Sequence, residues 1–210
     1  MAQKTFSIKE SIRYGWKKTL SQPIIILYFL IAMAGTQFVE FLFNFIFSEA
    51  SESITSIVGA ILTIISIVFS IGMVRVVLNV YENKALKFEN LYEDWRLIGW
   101  YILGGIINGL LVILGLVLLI IPGIFVAVRL SMWPYIMLEG ESNSIEAIKK
   151  SWKLTEGKVL KLIGLYLVQF LVVLLGIIAL LVGVVVAMPV ISLSLVFVYK
   201  KLTESSSKTA

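Results

Sequence analysis

Few side chains in this chain can do chemistry inside an apolar environment. Glu40, Arg75 and Arg129 are charges within apolar runs, and Gln37, Asn44, Asn108 and Gln169 are amides within them. There is no Cys and no His, which removes thiol nucleophiles, imidazole bases and the commonest zinc ligands. No intramembrane Asp pair and no serine beside a credible base occurs, so the expectation is a protein that is not an enzyme and holds no metal or cofactor. Ionisable residues inside membrane segments are costly and mark functional candidates by default. Gln37, Glu40 and Asn44 fall at i, i+3 and i+7, on one helical face that should point at protein or water rather than lipid. Asn108 and Gln169 sit near the middle of two other runs. Two readings stand: a polar stripe lining a shared cavity, or interhelical hydrogen bonds, worth about 0.6 kcal/mol on average.

Glu40 precedes Phe47 and Arg129 follows Pro122 by the same number of residues, so both should lie roughly 10 Å below one membrane surface. An ion pair between them is expected. Arg75 is near the end of its run and reads as a snorkelling anchor. Trp16, Trp95 and Trp152 read as interfacial anchors.

The elements that position these residues must cross a bilayer. Of 210 residues, 59% are hydrophobic and 15% charged, and mean hydropathy is +0.98. Soluble domains carry about 45–50% apolar and about 25% charged residues, and so short a chain could not bury this excess. The formal charge of +5 is spread over the ends of apolar runs, which is a topology signal rather than a nucleic-acid surface. The runs 24–47, 54–80, 97–119, 124–138, 159–181 and 184–199 predict an all-α, polytopic bundle of six spans in a single domain, 1–202, with a disordered tail at 203–210. The tight connections 48–53, 121–123 and around 183 carry no Lys or Arg. The positive-inside rule therefore places both termini on the cytoplasmic side of the cell membrane.

Each hairpin is preceded by a short amphipathic segment: Ile8/Ile12/Trp16, Phe88/Leu91/Trp95 and Ile145/Ile148/Trp152. A basic amphipathic helix with a Trp reads as lying in the membrane interface; packing against protein is the alternative. The three units, 1–80, 81–138 and 139–202, read as an internal repeat about an axis along the membrane normal. Shared Leu, Ile and Gly composition is the competing explanation. Ser7-Ile-Lys-Glu10 has the form of a capping box, Ser144 that of a helix cap, and Glu146 is spaced to pair with Lys150. Gly105-Ile-Ile-Asn-Gly109 is a GxxxG pattern that would permit close helix approach.

One stretch is more specific. Ile121, Pro122 and Gly123, then Arg129, then Ala147, Ser151, Trp152, Leu154, Thr155 and Gly157 resemble a superfamily of six-span prokaryotic membrane proteins. It includes the membrane domain found beside some glycerophosphoryl diester phosphodiesterases and related integral membrane proteins. The resemblance implies a multi-pass membrane domain, and not phosphodiesterase activity, because no soluble catalytic domain accompanies it. The functional expectation is a non-enzymatic accessory or scaffold in the cell envelope, serving membrane homeostasis or resistance to membrane-active peptides. The second reading is a small permease or lipid-handling transporter. Membrane lipids, another membrane protein or a second copy are the expected partners; nucleic acid is not.

Overall fold

A computed structural model describes residues 6–46, 52–141, 143–178 and 182–207, without several side chains of the second helix, Glu40 and Asn44 among them. Every described regular element is a helix. They are α1 (Ile8–Ser21), α2 (Ile24–Ile46), α3 (Glu52–Tyr81), α4 (Ile98–Leu118), α5 (Ile120–Leu130), α6 (Trp133–Leu138), α7 (Ser144–Leu154), α8 (Val159–Ile178) and α9 (Val182–Ser207), with 3-10 turns at Phe88–Leu91 and Trp95–Leu97 before α4. Five stretches of described helix are long and apolar enough to cross a bilayer: Ile54–Tyr81, Phe88–Leu118, Ile120–Leu138, Val159–Ile178 and Gly183–Ser207. This is a helical membrane protein. α2 adds a further apolar helix of 23 residues. Helix α9 runs on through Thr203–Ser207, so most of the segment expected to be a disordered tail is helical. The remaining three residues, like residues 48–51 of the connection expected at 48–53, lie outside the described residues, and Glu52 and Ser53 already belong to α3.

Glycines close the hairpins. The chain turns from α4 to α5 on Leu119 alone, in an extended conformation (φ −167°, ψ 152°). Pro122-Gly123 is therefore not the turn itself. Pro122 sits in the first turn of α5, where a missing N–H costs nothing, and Gly123 lets α5 meet α4. A Cβ on Gly123 would lie 2.4 Å from the Leu116 side chain, and one on Gly115 would lie 2.8 Å from Gly123. The α8–α9 pair closes the same way: a Cβ on Gly176 would lie 2.8 Å from the Gly183 backbone.

Small residues also seat the leading segments. The buried face of α1 is Ser11, Gly15 and Thr19, one residue per helical turn, and it packs on α9. The buried face of α7 is Ser144, Ala147, Ile148 and Ser151, packed on α6, α4 and α5. The expected stripes are thus only partly the packing faces. Trp16, Trp95 and Trp152 stay 49%, 58% and 39% exposed. Between α3 and α4 the expected amphipathic helix does not form. Leu91 is buried while Phe88 and Trp95 are exposed, because two tight 3-10 turns replace the 3.6-residue period. The Leu91 backbone lies on α3, where a Cβ on Gly72 would come within 2.1 Å of the Leu91 carbonyl.

Local expectations are corrected in detail. Ser7 makes no side-chain cap. Asn143, not Ser144, caps α7 by accepting from the Ile145 amide at 2.9 Å. Glu146 pairs with Lys149, and Lys150 pairs with Glu141. The GxxxG glycines Gly105 and Gly109 face open space, while their neighbour Gly104 is the packing glycine, against Trp133 and Ser144.

Charged groups tie the helix ends together on the side where α3, α6 and α9 finish. Lys200 Nζ donates to Glu82 at 2.6 Å and also pairs with Glu139. The Tyr199 hydroxyl donates to Glu139 at 2.9 Å, and Lys18 of α1 donates to the Asn83 amide oxygen at 2.7 Å. Hydrogen bonds from Lys200 and then Lys84 hold the Glu82 carboxyl down at about 2.

Candidate functional site

The apolar run 120–138 is broken by its own sequence. Pro134 has no N–H, and its ring clashes with the carbonyl four residues back. Helix therefore stops at Leu130 and restarts at Trp133. The break strands backbone groups in an environment with no water to satisfy them. Helix α7 supplies the partners. Ser151 Oγ donates to the Arg129 carbonyl at 2.9 Å and accepts from the Met132 amide at 3.2 Å. Thr155 Oγ1 donates to the same Arg129 carbonyl at 3.1 Å. Thus Ser151 and Thr155, one helical turn apart, bridge a span broken by a proline.

Arg129 is 6% exposed. Its guanidinium carbon lies 4.3 Å from the Trp152 ring centre and 5.7 Å from that of Phe125. Its Nε is buried without a hydrogen-bond partner among the described residues. The charge is held by ring faces, an interaction worth about 2 kcal/mol when desolvated, and by its position in the last turn of α5, at the negative end of the helix dipole. The expected pairing with Glu40 falls on a side chain outside the described residues. Among those that are described, α2 packs on α3 and α9, whereas α5 packs on α4, α7 and α8.

The other candidates separate. Gln169 is buried and donates to Ser194 Oγ at 2.7 Å, joining α8 to α9; it takes the interhelical role. Asn108 Oδ1 is buried and unpartnered among the described residues. Arg75, the expected snorkelling anchor, is partly buried and ion-paired. It grips Asp94 through two bonds of 2.6 and 2.7 Å, with Glu93 at 3.4 Å, pinning the 3-10 segment to α3.

Gln37 alone of the described stripe residues lines a cavity. This cleft has a volume of about 540 Å³, between α2, α3, α6 and α9. Its polar groups are Gln37, Ser66, Ser70, Tyr135 and Ser192, set among Phe29, Phe69, Met73, Val74, Val77 and Met188. Gln37, Ser66, Ser70 and Ser192 lie in the central parts of long helices, away from the charged ends. The serines are absent from the sequence expectations; the signal that could have found them is Ser66/Ser70 at i, i+4 in the apolar stretch 64–74. Tyr135 had no such signal, because its direction depends on the break at Ser131-Met132. Clefts of about 300–1,000 Å³, largely apolar with a few placed polar groups, are the usual form of ligand pockets.

Residues 95–206 match the family described as Domain of unknown function (DUF7847). The matched region is more than half of the chain. The protein belongs to the DUF7847 family. Within it fall the broken span, Arg129, the hydroxyl bridge from α7 and the α8–α9 hairpin; α1, α2 and α3 precede it. No curated protein and no solved structure matches the chain. The DUF7847 region thus supplies Tyr135 and Ser192 to the cleft, and the preceding helices supply Gln37, Ser66 and Ser70.

Proposed function

We propose that this DUF7847 protein is a non-enzymatic, multi-pass protein of the cytoplasmic membrane that holds one lipid-like amphiphile in the cleft between α2, α3, α6 and α9. The observation that carries this reading is the cleft itself: polar groups from separate helices converge at the middle of an apolar bundle, around a volume of about 540 Å³. Such a site suits a molecule with a small hydrogen-bonding group and a hydrocarbon body. The reading is the lipid-handling member of the two functional expectations. An accessory or scaffold role in the envelope, alone or with another membrane protein, is the second, and the ion-paired cap at Lys200, Glu82 and Glu139 favours it by stiffening one end of the bundle. Ser70→Phe places a ring in the cleft. It should shrink the rise in melting temperature that added membrane lipid gives the purified wild type, a rise of bound-state linkage. An undiminished rise in the variant would remove the cleft from the account.

The proposed topology is six spans in three hairpins with both termini cytoplasmic, related to the six-span superfamily containing the phosphodiesterase-associated membrane domain. Its support is the packing order. Each leading segment lies on a different hairpin: α1 on α8 and chiefly α9, Phe88–Leu91 on α3, and α7 on α4, α5 and α6. That order closes into a ring of three units, as a parallel repeat about the membrane normal requires. The pairs Gly115–Gly123 and Gly176–Gly183, and the similar runs Ser11-Ile-Arg-Tyr-Gly-Trp-Lys-Lys-Thr19 and Ala147-Ile-Lys-Lys-Ser-Trp-Lys-Leu-Thr155, support the same relation. Reporter fusions at Glu52, Lys84, Lys150 and the C-terminus should read outside, inside, inside and inside. An external C-terminus would contradict the six-span topology.

A further inference from the structure

A second apolar space lies elsewhere, along α1. A groove of about 1120 Å³ runs between α1 and Val168 of α8, lined by Ile12, Trp16 and Leu20 and edged by Lys9, Arg13 and Lys17. A narrower slot of about 360 Å³ continues from it, sharing Ile12 and Trp16 and reaching Val172, Gly176, Gly183 and Val190. The slot exists because the α8–α9 hairpin is closed by glycines rather than side chains. From Val168 in the groove to Gly176 in the slot, the shared α8 wall is about 12 Å of helix. Lys9, Arg13 and Lys17 recur every fourth residue, are exposed, and form no ion pair among the described residues. The one acid on α1, Glu10, lies within electrostatic reach of Lys201 on α9.

We infer that this groove is a binding site for a single anionic phospholipid, its phosphate against Lys9, Arg13 and Lys17 and one acyl chain running past Trp16 into the slot. Charge complementarity chooses the occupant: three unpaired cations flank an uncharged, apolar cleft, and an amphiphile with a negative headgroup matches both halves. The lipid fills the seam between α1 and the α8–α9 hairpin, and so couples the seating of α1 to the charge of the surrounding leaflet. This site shares no lining residue with the cleft of the proposed function, and each is tested separately.

The test uses the full chain in mixed micelles, titrated with phosphatidylglycerol or phosphatidylcholine brominated on one acyl chain. Quenching of Trp16 is read as the difference between wild type and Trp16→Phe. Phosphatidylglycerol should quench at a mole fraction roughly tenfold or more below phosphatidylcholine, since each basic residue near a lipid surface contributes about fivefold. The Lys9→Gln, Arg13→Gln, Lys17→Gln variant should bring the two curves together, and Lys9→Arg with Lys17→Arg should keep them apart. Val186→Phe, which fills the slot, should reduce quenching by both. If the neutralised variant does not fold, salt at about 0.5 M should shrink the preference in the wild type. Equal quenching of wild type by the two lipids overturns the proposal. Displacement of phosphatidylglycerol by soluble glycerol phosphate overturns it too, because the site would then hold a headgroup without a chain.

Discussion

Gly15→Leu should release α1 from the bundle and leave the rest of the helices folded. A Cβ at position 15 would lie 2.2 Å from the Val190 carbonyl oxygen, 3.1 Å from its carbon and 3.3 Å from the Ser194 amide. All three are backbone atoms of α9, so no side-chain rotation relieves the clash and the helices must part. Overpacking of cores costs about 1–3 kcal/mol and occasionally more; a backbone clash at closest approach belongs at the upper end. Parting them also uncovers Ser11 and Thr19, both fully buried, and weakens the stack of Tyr14 on Phe197, whose rings are 4.9 Å apart. Amides of residues 8–21 should then exchange with deuterium about 100-fold faster, while those of α4 and α8 hold their rates. Gly105→Ala is the matched control. A Cβ there meets nothing within 4 Å, and the change should be neutral or slightly stabilising, because Ala is the better helix former by about 1 kcal/mol. Equal effects of the two substitutions would mean that α1 is not seated through Gly15.

Ser151→Val should destabilise the bundle by about 2–4 kcal/mol, and Ser151→Thr, nearly isosteric with the valine variant, by much less. Ser151 is fully buried and meets both sides of the helix break, accepting from Met132 and donating to Arg129. Valine strands the Met132 amide completely and leaves the Arg129 carbonyl to Thr155 alone. Each stranded buried group costs about 1–3 kcal/mol, and a lipid surround supplies no water to repair it. Ser151→Thr keeps the hydroxyl and should recover most of the loss. Thermal unfolding in detergent, followed by Trp fluorescence, reads the order: wild type, then Thr, then Val. If Val and Thr fall together, volume and not the hydroxyl bridge governs the site.

The spans were legible in the sequence because hydrocarbon demands long apolar runs, and the Pro134 break was legible because proline cannot donate. What restores the break was not. The hydroxyls of Ser151 and Thr155 sit on a helix that reads as an interfacial stripe, and the stripe through Trp152 attracts attention to the wrong face. The same confusion affects α1, where hydrophobic periodicity marks Ile8, Ile12 and Trp16 while the close approach to α9 runs through Ser11, Gly15 and Thr19. Small residues carry little hydropathy signal, yet backbone proximity in a membrane depends on them. The segment 88–97 misled for a different reason. Its apolar residues have helical spacing, but Arg75 clamps Asp94 and Gly72 admits the Leu91 backbone, so tertiary contacts fix tight turns instead. Arg129 stood out in the sequence as a charge in an apolar run, but the Trp152 ring over it comes from α7, and no sequence spacing reports that contact.

The central claim is that the cleft lined by Gln37, Ser66, Ser70, Tyr135 and Ser192 holds an amphiphile. Native mass spectrometry of the full chain, released from detergent after mild purification, tests it most directly. The account predicts that the wild type and the Lys9→Gln, Arg13→Gln, Lys17→Gln variant both retain a lipid-sized adduct that Ser70→Phe loses, leaving Ser70→Phe one adduct short of the wild type. A wild-type spectrum with no retained adduct, or a Ser70→Phe spectrum with as many adducts as the wild type, would contradict it.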